Sequence, residues 1–511
     1  MKKLIFIFAI LLLANFSNAN NILVNNVSVV AASNTIRFTV SWDNSWRSST
    51  LNNWDAAWVF LKYYDPVGLD WKPVYFTNAG NVIPAGFTAT LGSTGGSNIG
   101  VFLYRSAPGS GTSTITNIEL GIPAQQATGI YDIKVFAIEM VYVPQGSFYL
   151  GDGVSDVGRY GGNAALTVPG FNQGAPTSGI YDPLTSPAGF LTGLPAAFPN
   201  GYGAFYSMKY ELSQGGYRDF LNSLTYNQQV SRTAVLPTSA TGTSALSISD
   251  RNYLEIKTPG IASTTPAVYG CDANANNIYD EATDGEWVAC NYLTWPDQAA
   301  YLTWAGLRPL TEMEYEKACR GIQVPVAGEY AWGNINIASS VYILSNPSQA
   351  SEIVSNASTS PTGNANWTTT SPTSPYNGPL RNGVFATATS NRISSGGSFY
   401  GIMEMSGNLF ERVITSATSQ GQSFNGLEGN GVINANGNAT GNSTWPGYTS
   451  GTSSIDGTTN ANGLIIRGGG WSHGLLDLRT SNRAAGFLIL DPNINRANCF
   501  FYGIRGGRIA P

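Results

Sequence analysis

The sequence predicts an α+β chain that opens with an all-β module. Three observations carry this. Only 11% of the 511 residues are charged, against about 25% in an average soluble protein; 59 glycines, with many Ser, Thr and Asn, stand in their place. Short runs with period-2 alternation fill residues 20–138. Beyond residue 139, a few short amphipathic helices are separated by long polar stretches. The composition is that of a loop-rich, extracellular β-type chain.

The elements follow in order. Lys2 and Lys3, an apolar run at 4–14 and the small residues Ser17-Asn18-Ala19 have the pattern of a secretory signal peptide, 1–19. The expected localisation is therefore secreted, extracellular or cell surface. No Cys follows the apolar run, and no later stretch holds the about 18 apolar residues of a membrane span. Residues 36–42 alternate apolar and polar, as a half-buried strand does. Residues 58–64, 101–104 and 131–137 are further strand runs, separated by the turn clusters 92–97 and 108–111. Several short strands with regular turns predict a β-sandwich over 20–138. It holds no catalytic constellation and reads as a spacer or interaction module.

In the second region, 139–511, residues 213–224 place Tyr217, Phe220, Leu221 and Leu224 on one helical face. Residues 295–304 and 311–320 predict two more helices, the last with Thr311 and Glu314 as a capping box. The polar stretches 225–285, 335–390 and 415–460 read as surface insertions. A net charge of −5 without a basic stripe argues against nucleic acid.

Four cysteines in an exported chain favour disulfides. Cys271 and Cys290 bracket one polar loop and are expected to pair, leaving Cys319 with Cys499, although four cysteines allow three connectivities. The single histidine, His473, argues against a Cys/His zinc cluster. Within the same loop Asp272, Asn274, Asn276, Ile278 and Asp280 alternate as in an EF-hand-type calcium loop, with Asn277 at the position that needs left-handed backbone. The rival reading is a polar turn held by the 271–290 bridge.

Motifs in the second region resemble a known family in their order. MVYVPQGSFYLG (140–151) looks like its opening strand. FYSMKYELS (205–213) resembles F-x-x-x-K-Y-E-V-T, and LTWPDQAAYLTW (293–304) resembles W-x-D-A-x-x-Y-x-x-W. LRPLTEMEYE (307–316), YAWGN (330–334), GIMEMSGNLFE (401–411), RGGGW (467–471), LRTSNR (478–483) and GIR (503–505) match the later motifs. Together they resemble the formylglycine-generating, sulfatase-modifying factor family. The resemblance implies an irregular C-type lectin-like α+β module behind the N-terminal sandwich.

Enzymes of that family oxidise a substrate cysteine through two thiols that bind copper(I). At the matching positions this chain has His473 and Leu478. One imidazole cannot replace two thiolates for a soft metal, so the resemblance implies loss of the oxidase and no copper. His473 is the one weak catalytic candidate, as an acid/base; a triad with Asp477 is its alternative. Trp471, His473 and Arg483 are expected to line the ligand groove, and the run 483–498 lies where binding relatives vary. The resemblance also implies a structural calcium held by Glu404, Gly407, Leu409 and Glu411. The expected function is a secreted or cell-surface binding or structural protein with a protein or glycan ligand. An altered modifying enzyme and a self-associating surface subunit are the rivals.

Overall fold

The computed structural model describes residues 21–511 apart from 51, 130, 154–159, 161–180, 183–188, 191–193, 248, 441–442, 450–453, 456–462 and 484–494. The signal segment and most of the 483–498 run lie outside the described residues. Strand accounts for 30% of residues and helix for 11%, so the chain is mostly β.

Strands β1 (Leu23–Val30), β2 (Thr35–Arg47), β3 (Asp55–Asp65), β4 (Asp70–Val74), β5 (Phe87–Thr94), β6 (Ser97–Arg105), β7 (Gly109–Gly121) and β8 (Ile133–Val143) come first. β1, β2 and β7 form one antiparallel sheet. It packs face to face with a second sheet through Ile36, Phe38, Val40 and Trp42 of β2, against Ala57, Val59 and Leu61 of β3. The alternation read in 36–42 is therefore the inward face of β2.

The second sheet does not stop at the sandwich. β9 (Phe205–Met208) and β10 (Gly507–Ile509), both in the second region, extend it. The order is β10-β9-β8-β3-β6-β5, with β4 also paired to β3, and the sheet curls into a half-barrel. β8 crosses the 138/139 boundary as one strand. On one edge it pairs with β3, from Tyr63 opposite Ile133 to Asp55 opposite Val141. On the other edge it pairs with β9, from Met140 opposite Met208 to Val143 opposite Phe205. β3 is buried on both faces over Asp55–Leu61 because it is a middle layer. Its Ala57, Val59 and Leu61 face the sandwich, while Ala56, Trp58 and Phe60 enter the larger core of the second region.

Side chains lock the layers together. Trp58 Nε1 donates to the Ala305 carbonyl (2.8 Å), and its ring fills the space where any side chain at Gly92 or Gly100 would lie. Arg508 donates to the carbonyls of Gly306 (2.6 Å) and Ser93 (2.7 Å). Lys209, just past β9, donates to Asp55 (3.1 Å), Glu139 (3.0 Å) and the Asn44 carbonyl (3.3 Å). All three charged groups are buried. Burial opposes the charge on Lys209, yet Glu139 and Asp55 hold its pKa well above the usual lysine value.

The four main helices are α1 (Gln214–Leu221), α2 (Tyr226–Arg232), α3 (Trp295–Trp304) and α4 (Glu312–Arg320). Thr311 caps α4 with Glu314 as expected, and Thr294 with Asp297 does the same for α3. α2 was not expected, because it falls in the polar stretch 225–285. That stretch is not a surface insertion. Gln229 is fully buried, donating to the carbonyls of Leu221 (3.1 Å) and Ala267 (2.9 Å) and accepting from Ala267 N (2.8 Å). Residues 335–390 likewise build a small core from Ala338, Tyr342, Val354, Leu380, Val384 and Phe385.

The expected disulfides are absent. Cys271, Cys290, Cys319 and Cys499 are all buried and none is disulfide-bonded. Cys319 sits on α4, while Cys499 accepts a contact from Arg412 Nη2 (3.5 Å). Burial pushes all four thiols up in pKa, so none is a ready thiolate. Among the described residues no helix is long and apolar enough to cross a membrane.

Removing the Lys209 ammonium would leave Asp55 and Glu139 buried side by side. Lys209→Ala is expected to destabilise the protein by about 3–5 kcal/mol, read as a lower midpoint in urea unfolding.

Candidate functional site

The loop that carries His473 is held from below by motif charges. α4 is buried along its whole length, which is tolerable only because its carboxylates and Arg320 are paired and Lys317 donates to the Gly201 and Tyr202 carbonyls. Glu312 accepts from Arg483 Nε (2.5 Å) and Nη2 (2.7 Å), from Arg467 Nη1 (3.4 Å) and from Thr415 Oγ1 (2.7 Å). Burial alone would raise its pKa, but Arg483 and then Arg467 overrule it and hold it at about 2. Glu316 accepts from Arg467 Nη2 (2.8 Å) and Arg320 Nη1 (3.2 Å), and Arg320 also donates to Glu329. Arg483, expected in the groove, is instead fully buried against Glu312, with its guanidinium 3.8 Å from the Tyr160 ring centroid. Its charge serves the interior.

From Arg467 the chain turns through Gly468 (φ +92°) and Gly469 (φ +73°). A side chain at Gly468 would approach the Tyr315 hydroxyl, and one at Gly469 would strike Leu478. The loop is pinned by Gly407 N to the Gly468 carbonyl (2.7 Å), Trp471 N to the Asn408 carbonyl (2.8 Å) and Thr368 N to the His473 carbonyl (3.1 Å). The His473 ring lies between the edges of Phe410 and Phe501, at 4.7 and 4.4 Å between centroids. Its Nδ1 is 3.2 Å from Ser472 Oγ. Burial lowers its pKa to about 4, so the imidazole is neutral near pH 7. Trp471 is half-buried, donates to the Phe500 carbonyl (3.2 Å) and meets the Phe500 ring at 5.9 Å. Leu475 and Leu476 are exposed beside it. Leu478 is buried among Tyr330, Trp332, Ala365 and Trp367.

The turn at 404–411 lies directly beneath. Glu404, Gly407 and Asn408 all have left-handed backbone. Glu404 accepts from Gly383 N (2.7 Å) and Glu411 from Arg505 Nε (2.5 Å), while the second carboxylate oxygen of each is buried without a partner. The Leu409 side chain is buried against Gly503. Glu211 accepts from Asn408 Nδ2 (2.6 Å) and Leu409 N (2.9 Å). Burial, then Glu411, raises its pKa well above the carboxylate range, and burial raises Glu404 to about 7 against the pull of Arg505. Glu211 lies in the FYSMKYELS motif and Arg505 in the GIR motif, neither expected at the site. The signal was there, since both are charges embedded in apolar segments.

The 271–284 loop is a run of side-chain turns. Asp272 accepts from Asn276 N (3.1 Å) and Asn277 N (2.8 Å), Asn274 from Asn276 N (3.0 Å), and Asn276 from Ile278 N (2.7 Å). Asn277 adopts the left-handed conformation its position calls for. Asp280 turns away to Arg218 (2.8 Å) and Lys257 (3.2 Å). Among the described residues no three His, Cys, Asp or Glu side chains group as a ready metal cluster.

A family model described as the sulfatase-modifying factor enzyme 1-like domain matches residues 134–487. The chain belongs to this formylglycine-generating, sulfatase-modifying factor family. Comparison with curated proteins gives no match. The match begins inside β8, one residue after the strand's start.

As the only histidine, His473 gives one imidazole signal to follow by NMR. It is expected to titrate near pH 4. A folded pKa below the unfolded value of about 6.5 means the unfolded chain binds the extra proton between the two. Its contribution to stability therefore rises from about pH 4 to 6.5, and His473→Gln should remove that slope.

Proposed function

We propose that this protein is a secreted or cell-surface binding or structural member of the family, in which the oxidase chemistry is lost. The observation that carries the reading is the segment after Arg467-Gly468-Gly469-Gly470. The family's thiol positions hold a neutral, aromatic-packed His473 and a buried Leu478, and the four cysteines are buried with raised pKa values. These residues do not fit copper(I), which needs soft, deprotonated sulfur. A C-type lectin-like topology would present the half-buried face of Trp471, Phe500 and Phe501 to a protein or glycan ligand, since aromatic side chains supply contact area at little entropic cost. Incubated with oxygen, copper and a sulfatase-type cysteine peptide, the purified protein should yield no formylglycine by mass spectrometry. Formation of the aldehyde would overturn the proposal.

Calcium is part of the same reading. The unpartnered oxygens of Glu404 and Glu411, with the Gly407 and Leu409 carbonyls, are the hard donors that calcium takes. Asp272, Asn274, Asn276 and the Ile278 carbonyl are a second donor set, which Asp280 would join by leaving its cations. A cation on Glu404 would also favour its ionised form. Chelator is expected to lower the melting temperature, calcium to restore it, and Glu404→Gln to blunt the response. A melting temperature indifferent to calcium would contradict this.

A further inference from the structure

A cavity of about 550 Å³ opens where the start of β1 faces β8 and the first turns of α1. That volume is the size of a small-ligand site, and junctions between modules are where such sites form. Phe136, Trp287, Tyr301 and Trp304 supply aromatic walls. Five carboxyl groups, on Glu139, Glu211, Asp219, Asp280 and Glu286, line it beside one guanidinium, Arg218; burial raises Glu211 well above the carboxylate range and Glu139 to about 7.

The neighbouring cations are already engaged. Lys257 answers Asp280 and Lys134 acts on Asp219. Lys209, however, is shared between Glu139 and Asp55, and Arg505 between Glu211 and Glu411. Glu139 is 3% exposed, and its Oε1 has no hydrogen-bond partner; nor has Glu286 Oε2 on the opposite wall. Arg218 reaches Glu286 only at 3.8 Å, and burial raises that carboxyl to about 7.

We propose that this cavity binds an organic cation, an ammonium or guanidinium carried on an apolar stem. The positive head would donate to the two unsatisfied carboxylate walls, and the stem would lie along the aromatic ones, where a cation also gains from the ring faces. A neutral sugar would fill the space but leave the Glu139 and Glu286 carboxyl groups without a countercharge. The shared chemistry is that of a free amine and of a lysine side chain presented by another protein. The site is separate from the His473 loop, so it stands or falls independently of the oxidase assay.

Titration calorimetry of the full protein with 1,5-diaminopentane, choline chloride and Nα-acetyl-lysine amide tests this, with maltose as the neutral control. At least one cation should bind saturably. Glu286→Gln should weaken it about tenfold, the worth of one charge-assisted hydrogen bond. Val24→Trp, which fills the cavity from the half-buried side of β1, should abolish it; circular dichroism checks that both variants fold. Binding of the free amines alone marks a small-molecule site, and binding of the lysine amide alone marks a protein partner. The proposal is overturned if no cation binds, if maltose binds as well, or if neither variant changes the affinity.

Discussion

Lys209 is the constraint on which the architecture turns. Its ammonium is removed from water and held between Asp55 of the N-terminal module and Glu139 of the crossing strand. Burying three charges is tolerable only because the ammonium meets each carboxylate at hydrogen-bond distance. Asp55 is fixed in turn by Trp42 Nε1 (3.1 Å), Ser45 Oγ (3.0 Å) and Trp46 N (2.8 Å). The requirement thus passes from a family motif residue through β3 into β2. A shared sheet and a shared buried charge make the sandwich a layer of the family domain.

The same logic runs through the rest of the domain. Arg308 with Glu314, Glu312 with Arg483 and Arg467, Glu316 with Arg320, and Glu411 with Arg505 all join distant segments in the interior. Losing one partner of such a pair strands a buried charge. Each of these paired charges therefore serves the fold, independently of the side chains at positions 473 and 478. The glycines at 468 and 469 follow from the same packing, since the turn runs against Tyr315 and Leu478.

Much of this was legible in the sequence. Period-2 alternation marks β2 because one of its faces is buried, and Thr311 with Glu314 marks α4 because the capping chemistry is local. What could not be read depends on distant partners. A strand shared by two modules has no local signature, so the boundary drawn at 138/139 falls inside β8. Gln229 reads as surface because its partners, Leu221 and Ala267, are separated from it in sequence. Arg483 reads as a groove residue until Glu312 is seen opposite it. An even count of four cysteines says nothing of geometry, and burial without a bridge is set by the tertiary packing of each thiol. At the candidate site, His473 was identified, but its neighbours Phe410 and Phe501 come from segments far along the chain.

Whether the sandwich is integral is tested most directly by producing residues 134–511 alone. That piece lacks β3 and so exposes the core face left by Ala56, Trp58 and Phe60, with Lys209 missing Asp55. Near-UV circular dichroism through a urea series should show no fixed aromatic packing and no cooperative transition. A native-like spectrum with a cooperative transition would contradict the account, because the family domain would then fold without its N-terminal layer.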